Sequence, residues 1–270
     1  MNLNDVFCNG TAFMPYVCCG DPSEEFTLKL VLTLVTNGAD AIELGIPFSD
    51  PIADGRVIQA ASSRSLANGM TPKKAIAIVA KIREMGIRIP IIIMTYYNIV
   101  YANGIENFVK EIKKAGANGL IVPDITLDES KYLEDRCEEE GIQLIYFITP
   151  NTPIERMKKI IEKAGGFLYA VSVLGTTGTR ERIAPEAIEL IKRAKQITKT
   201  PIVAGFGISN EEHAVSFANA GADGIIIGSK LVEIYSKYTR PADTEKTLED
   251  MTTFVSEIKK AIRTADQNSK

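Results

Sequence analysis

The chain has 270 residues, of which 45% are hydrophobic and 24% charged, and its formal net charge is −3. This ordinary globular composition allows one large core, so we expect residues 1–270 to form a single domain. The weakly acidic balance gives no sign of nucleic acid or an anionic membrane as partner, and no apolar run approaches the roughly 20 residues of a membrane span.

Cysteine usage and the N-terminus indicate the compartment. The chain has four cysteines without C-x-x-C or Cys/His ligand spacing: Cys8, Cys18, Cys19 and Cys137. The N-terminus lacks the basic start and apolar stretch of a signal peptide. We therefore expect free thiols and a reducing cytoplasm. The single histidine, His213, lies in an amphipathic run, where a surface or helix-packing role is a better interpretation than catalysis.

Strand-like and helix-like segments alternate along the whole chain. Short β-rich runs occur at residues 13–18, 41–46, 90–97, 119–123, 143–148, 167–173, 201–206 and 224–227. Amphipathic stretches of helical length lie between them, for example at 24–37, 71–85, 105–115, 128–140, 153–164 and 185–198. Strands alternating with helices predict a parallel sheet, and eight strands close into a (β/α)8 TIM barrel. A doubly wound open sheet is the alternative, but it more often has five or six strands.

In such a barrel the chemistry lies at the carboxyl ends of the strands. Those ends fall at Gly20-Asp21, 43–54, 96–98, Asp124, 174–178, 205–209 and Gly228-Ser229. The glycine-rich ends of strands seven and eight match the usual place of a barrel phosphate site, where backbone N–H groups and a helix N-terminus bind the anion. Tight strand-to-helix turns would also require glycines, and other sugar-phosphate barrels share the pattern.

Two carboxylates carry a more specific signal. Glu43 interrupts the apolar second strand, where an acidic side chain is costly unless it has a partner or a task. Eleven residues later, after two prolines and a glycine, comes Asp54. A buried Glu beside a more solvated Asp is a common acid/base pair, although a structural ion pair is the alternative. The sequence has no metal-ligand spacing at the strand ends and no lysine at an obvious inward strand position. We therefore expect acid/base chemistry without a metal.

At this point a family resemblance becomes specific. Residues 43–55, ELGIPFSDPIADG, closely resemble the signature of the tryptophan synthase alpha subunit family. The likeness continues in the same order through FMPY at 13–16, GDP at 20–22, MTYYN at 94–98, GLIVPD at 119–124, YAVS at 169–172 and GTTG at 175–178. It implies a lyase of tryptophan biosynthesis that cleaves indole-3-glycerol phosphate to indole and glyceraldehyde 3-phosphate by a retro-aldol reaction.

The resemblance also implies roles for particular residues. Glu43 would be the general acid/base, Asp54 would stabilise positive charge at the indole N–H, and Tyr169 would lie beside Glu43 as a third catalytic residue. Thr177 would bond Asp54 when its loop closes. The implied substrate-binding residues are Tyr96, Thr177, Gly178, Gly207, Gly228 and Ser229. Asp124 would lie near the indole pocket or the subunit interface.

The resemblance implies a partner as well. It is a beta subunit that carries pyridoxal phosphate and joins the alpha chain in an α2β2 heterotetramer, with residues 47–51 in part of the contact. This chain itself would hold no cofactor and no metal. The alternatives are a stand-alone indole-3-glycerol phosphate lyase, a different phosphate barrel such as a sugar-phosphate epimerase, and an inactive subunit that only activates its partner.

Two residues depart from the family pattern. Arg56 and Ile99 stand where proline is usual. A cation two residues from Asp54 could lower the pKa of that carboxyl or change the stiffness of the loop. We expect Arg56 to leave the chemistry intact and to alter loop motion or coupling to the partner.

Overall fold

The computed structural model describes residues 3–171, 183–205, 207–237 and 243–268. Its parallel strands pair in chain order, and the eighth pairs with the first, which closes the barrel. The strands are β1 (Ala12–Cys18), β2 (Ile42–Gly45), β3 (Ile91–Met94), β4 (Gly119–Ile121), β5 (Gln143–Ile148), β6 (Leu168–Ala170), β7 (Ile202–Ala204) and β8 (Gly224–Ile227). The predicted (β/α)8 barrel is confirmed, and the open sheet is excluded.

Helices surround this barrel. They are α1 (Glu24–Thr36), α2 (Arg56–Ala67), α3 (Pro72–Glu84), α4 (Tyr97–Ala102), α5 (Ile105–Ala115), α6 (Lys131–Glu140), α7 (Ile154–Lys163), α8 (Pro185–Lys195), α9 (Glu211–Asn219), α10 (Ser229–Ser236) and α11 (Thr244–Asn268). A short 3-10 helix, Leu3–Phe7, precedes β1. None of the helices in the described ranges combines the length and apolarity of a membrane-spanning segment.

Two local differences from the predicted elements occur close to the carboxyl ends of β2 and β3. The predicted strand at 90–97 ends at Met94, because α4 begins at Tyr97, whose backbone N–H donates to the Asp124 carboxylate at 2.8 Å. The helix α2, which the sequence pattern does not predict, begins at Arg56 directly after Gly55. The excursion that follows β2 is therefore short, and α2 fixes its far end next to Asp54.

At the amino ends of the barrel, side chains cap the starts of three strands in the same way. An Asp or Asn lies shortly before β2, β4 and β8, and its side-chain oxygen accepts a backbone N–H at the start of the preceding strand. The bonds join Asp40 to Phe13 (2.7 Å), Asn118 to Ile91 (3.0 Å) and Asp223 to Ile202 (2.7 Å). A cationic side chain from a surrounding helix contacts each acceptor: Lys259, Arg83 and Lys195, respectively. Buried N–H groups that the barrel ladder leaves unpaired are satisfied in this way.

His213 and three of the four cysteines are buried. His213 is buried in α9, and its Nδ1 lies 3.3 Å from the Ser209 hydroxyl, which agrees with the expected helix-packing role. All four cysteines are free, and Cys18, Cys19 and Cys137 are buried.

Candidate active site

A cavity of about 230 Å³ opens at the carboxyl ends of the strands. Side chains or backbone from all eight strand ends line it, and most of the lining is apolar. Among the residues predicted to form the site, the structure places six in this lining: Glu43, Asp54, Tyr169, Gly207, Gly228 and Ser229. The cavity is thus an apolar space with two carboxylates and a glycine-rich side.

Glu43 points into the cavity from the middle of β2. Its side chain is almost fully buried, and the Tyr169 hydroxyl donates a long hydrogen bond of 3.4 Å to Oε2. Burial raises the pKa of Glu43 to about 8, and the nearby Asp54 carboxylate adds to the rise, whereas the Tyr169 hydroxyl opposes it. A glutamic acid in this state keeps its proton at neutral pH and can donate it.

Asp54 lies beyond β2, at the end of the excursion that the two prolines stiffen. Burial raises its pKa to about 6, and a hydrogen bond from the Tyr96 hydroxyl opposes that rise. Arg56 is exposed at the first residue of α2 and is not among the groups that set this pKa. Asp54 is therefore mostly ionised near pH 7, while Glu43 is mostly protonated.

Tyr96 lies behind Asp54 and does not line the cavity. Its ring is buried and stacks on Phe48 at 5.2 Å between centroids, and its hydroxyl accepts a hydrogen bond of 3.1 Å from the Ala53 backbone N–H. These contacts attach the segment that carries Asp54 to the end of β3. Tyr96 therefore contacts the segment that carries Asp54 and not the cavity.

Glycines make room for two inward tyrosines. A Cβ at Gly205 would lie 2.2 Å from Cε2 of Tyr169, and a Cβ at Gly45 would lie 2.2 Å from the Tyr16 hydroxyl. Such distances are below any van der Waals contact, so only glycine allows either ring to occupy its place. The Tyr169 ring also stacks on Phe147 at 5.2 Å, which fixes its hydroxyl towards Glu43.

The glycine-rich side of the cavity consists of the segments after β7 and β8. Gly207 has a positive φ of 47°, and Gly228 is the N-cap residue of α10, whose first residue is Ser229. Backbone N–H groups at the start of a helix have no partner within the helix and attract anions. Thr177 and Gly178, the other two predicted substrate-binding residues, lie outside the described residues.

Asp21, which was expected at the active end of the barrel, does not line the cavity and is bonded to Arg64. Its fully buried carboxylate accepts two hydrogen bonds from the Arg64 guanidinium of α2, at 2.8 and 2.7 Å. Arg64 also donates to the Ser236 hydroxyl of α10 at 2.8 Å. This strand end therefore joins α2 to α10 instead of contributing to the cavity lining.

Tyr16, Phe147 and Lys230 are among the cavity residues that were not predicted from the sequence as site residues. Tyr16 is paired in register with Glu43, and Phe147 with Tyr169, so both follow from the strand register once it is known. Lys230 has a signal in the sequence, because it directly follows the predicted Gly228-Ser229 pair. Within the described ranges, no group of three or more His, Cys, Asp or Glu side chains is arranged to hold a metal ion.

Comparisons with known proteins show the family of this chain. The profile of the family described as "Tryptophan synthase alpha chain" matches residues 4–263. The tryptophan synthase alpha chain of Methanocaldococcus jannaschii is 46% identical over 227 residues, which cover 84% of this chain and 80% of that protein.

Two solved structures from Pyrococcus furiosus are similar over almost the whole barrel. Its tryptophan synthase alpha subunit has a TM-score of 0.84 and 41% identity, with coverage of 92% of this chain and 97% of that chain. A chain from its tryptophan synthase α2β2 complex has a TM-score of 0.84 and 40% identity, with the same coverage of 92% and 97%. The chain therefore belongs to the tryptophan synthase alpha chain family.

Proposed function

We propose that this chain cleaves indole-3-glycerol phosphate to indole and glyceraldehyde 3-phosphate, with Glu43 as acid/base and Asp54 as charge stabiliser. The observation that carries the proposal is the pairing of two carboxylates in one apolar cavity, with a pKa of about 8 for Glu43 and about 6 for Asp54. One carboxyl is then a proton donor and the other an anion at the same pH.

The first step uses both of these protonation states. Protonated Glu43 transfers its proton to C3 of the indole ring, which becomes a cationic indolenine. The Asp54 carboxylate accepts a hydrogen bond from the ring N–H and stabilises the positive charge that develops there. In a cavity with a mostly apolar lining, this electrostatic stabilisation is stronger than in water.

The second step breaks the carbon–carbon bond. Glu43, now ionised, accepts the proton of the hydroxyl on the adjacent side-chain carbon. The oxygen forms a carbonyl with that carbon, the bond to indole C3 breaks, and its electron pair returns to the ring and restores the neutral indole. Glu43 ends the cycle protonated, so the two steps balance without a metal or a redox cofactor.

The other predicted residues hold these groups in place. The Tyr169 hydroxyl, 3.4 Å from Glu43 Oε2, orients that carboxyl and stabilises its ionised form between the steps. Tyr96 positions Asp54 through its contact with the Ala53 N–H. Gly207, Gly228 and Ser229 bind the phosphate. Roles for Thr177 and Gly178 in closing the site remain predictions from the family resemblance.

A beta subunit is the proposed partner. The related Pyrococcus furiosus chain occurs in a tryptophan synthase α2β2 complex. By analogy, this chain would release its indole to a partner that holds pyridoxal phosphate, and it would need no cofactor of its own. Ile52, which is 67% exposed next to the 47–51 segment, fits a contact surface there. The free cysteines agree with a cytoplasmic location.

Indole release from indole-3-glycerol phosphate tests the proposal. The purified chain is assayed with and without a beta subunit, beside Glu43→Gln, Asp54→Asn and the exposed control Glu84→Gln. We expect Glu43→Gln to lower kcat by about 10²- to 10⁴-fold, since a positioned acid/base contributes that much. Asp54→Asn should also be impaired, and Glu84→Gln should match the unchanged chain.

The outcomes separate the alternatives. Slow release that rises with the beta subunit and falls by that factor in Glu43→Gln supports an alpha subunit. Fast release that does not respond to the beta subunit identifies a stand-alone lyase. An inactive chain that still activates the beta subunit would overturn the proposed catalytic function.

A further inference from the structure

Lys230 is a cavity residue with no role in the proposed reaction. It is the second residue of α10, and Gly228, Ser229 and Lys230 all line the cavity. Its side chain is 32% exposed. Among the described residues that line the cavity, Lys230 is the one cationic side chain.

Lys230 lies in the first turn of α10, where the helix itself does not stabilise its positive charge. The amino end of a helix carries partial positive charge, which disfavours a cation in the first turn. No acidic residue occupies the first turn of α10, and the Glu233 carboxylate lies 3.9 Å from Lys230 Nζ, at the outer limit of an ion pair. An anion at this end of the cavity would be attracted by both the helix and the ammonium group.

The charges elsewhere in the cavity indicate where such an anion would lie. Asp54 is mostly ionised near pH 7, and Glu43 becomes ionised during the reaction. Both would repel a phosphate dianion, so the phosphate must be bound away from them by groups of positive potential. The segment formed by Gly228, Ser229 and Lys230 provides two such groups, the backbone N–H donors and the ammonium.

We propose that Lys230 is a further substrate-binding residue, whose ammonium group forms a charge-assisted hydrogen bond with the phosphate of indole-3-glycerol phosphate. This inference rests on the proposed function. The phosphate does not change its charge as the carbon–carbon bond breaks, so Lys230 stabilises the bound substrate and the transition state equally. Its removal should raise KM and leave kcat unchanged.

Paired ligands test the proposal by calorimetry. Indole-3-propanol phosphate carries the ring and the phosphate but has no hydroxyl to react, and indole-3-propanol lacks only the phosphate. The variants are Lys230→Met, which keeps an unbranched side chain without its charge, Lys230→Arg, and Lys237→Met as an exposed control at the end of the same helix. Inorganic phosphate is a third ligand.

We expect Lys230→Met to weaken binding of the phosphate ester about tenfold, or about 1.4 kcal/mol, and to raise KM by a similar factor. Binding of the alcohol should stay the same, Lys230→Arg should recover most of the affinity, and Lys237→Met should behave as the unchanged chain. Equal binding of the ester by Lys230→Met and the unchanged chain would overturn the inference, as would equal weakening of the ester and the alcohol.

The two proposals fail in distinguishable ways. If the unchanged chain does not cleave indole-3-glycerol phosphate, the proposed function is wrong. Binding of inorganic phosphate by the unchanged chain and by Lys230→Met then still decides whether Lys230 takes part in an anion site. If cleavage occurs and the Lys230 variants bind the phosphate ester normally, only the inference about Lys230 is wrong.

Discussion

At the scale of single residues, Glu43 and Asp54 are the same kind of group in two different environments. Glu43 is enclosed by the barrel and receives one long hydrogen bond, whereas Asp54 is half-buried and is contacted by the Tyr96 hydroxyl. Desolvation raises both pKa values, to about 8 and about 6, and the hydrogen bonds oppose the rise. Between these two values, the cavity contains one protonated acid and one carboxylate, as the first step requires.

This difference predicts a bell-shaped pH dependence. The value of kcat/KM should rise as Asp54 ionises near its pKa of about 6 and fall as Glu43 loses its proton near its pKa of about 8. Indole release would be measured at constant ionic strength from about pH 5 to 9. Asp54→Asn should remove the acidic limb and leave the alkaline one. A kcat/KM that keeps rising above pH 8 would mean that the reaction starts from ionised Glu43.

At the scale of elements, the two ends of the barrel have different tasks. The carboxyl ends hold the cavity, and the amino ends hold the repeated strand caps formed by Asp40, Asn118 and Asp223. Asp223 accepts the Ile202 N–H at 2.7 Å and pairs with Lys195 at 2.9 Å. Without that acceptor, the buried N–H at the start of β7 would have no partner.

Substitution of Asp223 should therefore change stability without changing catalysis. We expect Asp223→Ala to lower the free energy of unfolding by about 1–3 kcal/mol, the cost of an unsatisfied buried donor. Asp223→Asn keeps an acceptor for Ile202, so its loss should be smaller. Urea unfolding measures both, and kcat and KM at 25 °C should match the unchanged chain. A large change in KM for either variant would contradict the separation of the two ends.

The elements also illustrate what sequence patterns can predict. The eight strands follow from their nearly continuous apolar runs, which are typical of strands buried on both faces. The helix α2 does not, because its buried face includes Ser62 and Ser65 and its N-cap residue, Gly55, offers no side chain. The hydrophobic period and the capping signals that mark a helix are therefore both weak there.

The candidate site likewise contains residues that the sequence predicts and residues whose place depends on the packing of strands. Glu43 could be predicted because an acidic residue in an apolar strand is conspicuous in the sequence. The place of Tyr96 behind Asp54 could not, since it depends on how the end of β3 meets the excursion that follows β2. Tyr16 and Phe147 could not be predicted either, because their pairing with Glu43 and Tyr169 depends on the register between strands, which the sequence does not show.

At the scale of the whole molecule, the buried acid that serves catalysis makes stability depend on pH. Between its ordinary pKa of 4.5 and its pKa of about 8 in the barrel, Glu43 binds a proton in the folded chain that the unfolded chain has released. The folded state binds more protons in this window, so the contribution of Glu43 to the free energy of unfolding decreases as the pH rises through it. Above about pH 8 that contribution is constant and unfavourable.

Glu43→Gln should consequently stabilise the protein while it lowers kcat. Its free energy of unfolding relative to the unchanged chain should increase from about pH 4.5 to about pH 8, by a total of about 3–5 kcal/mol, and then level off. Urea unfolding at several pH values measures the difference, and the exposed control Glu84→Gln should show no such trend. A difference that is independent of pH would mean that Glu43 is already ionised in the folded chain, and the first catalytic step would then lack its acid.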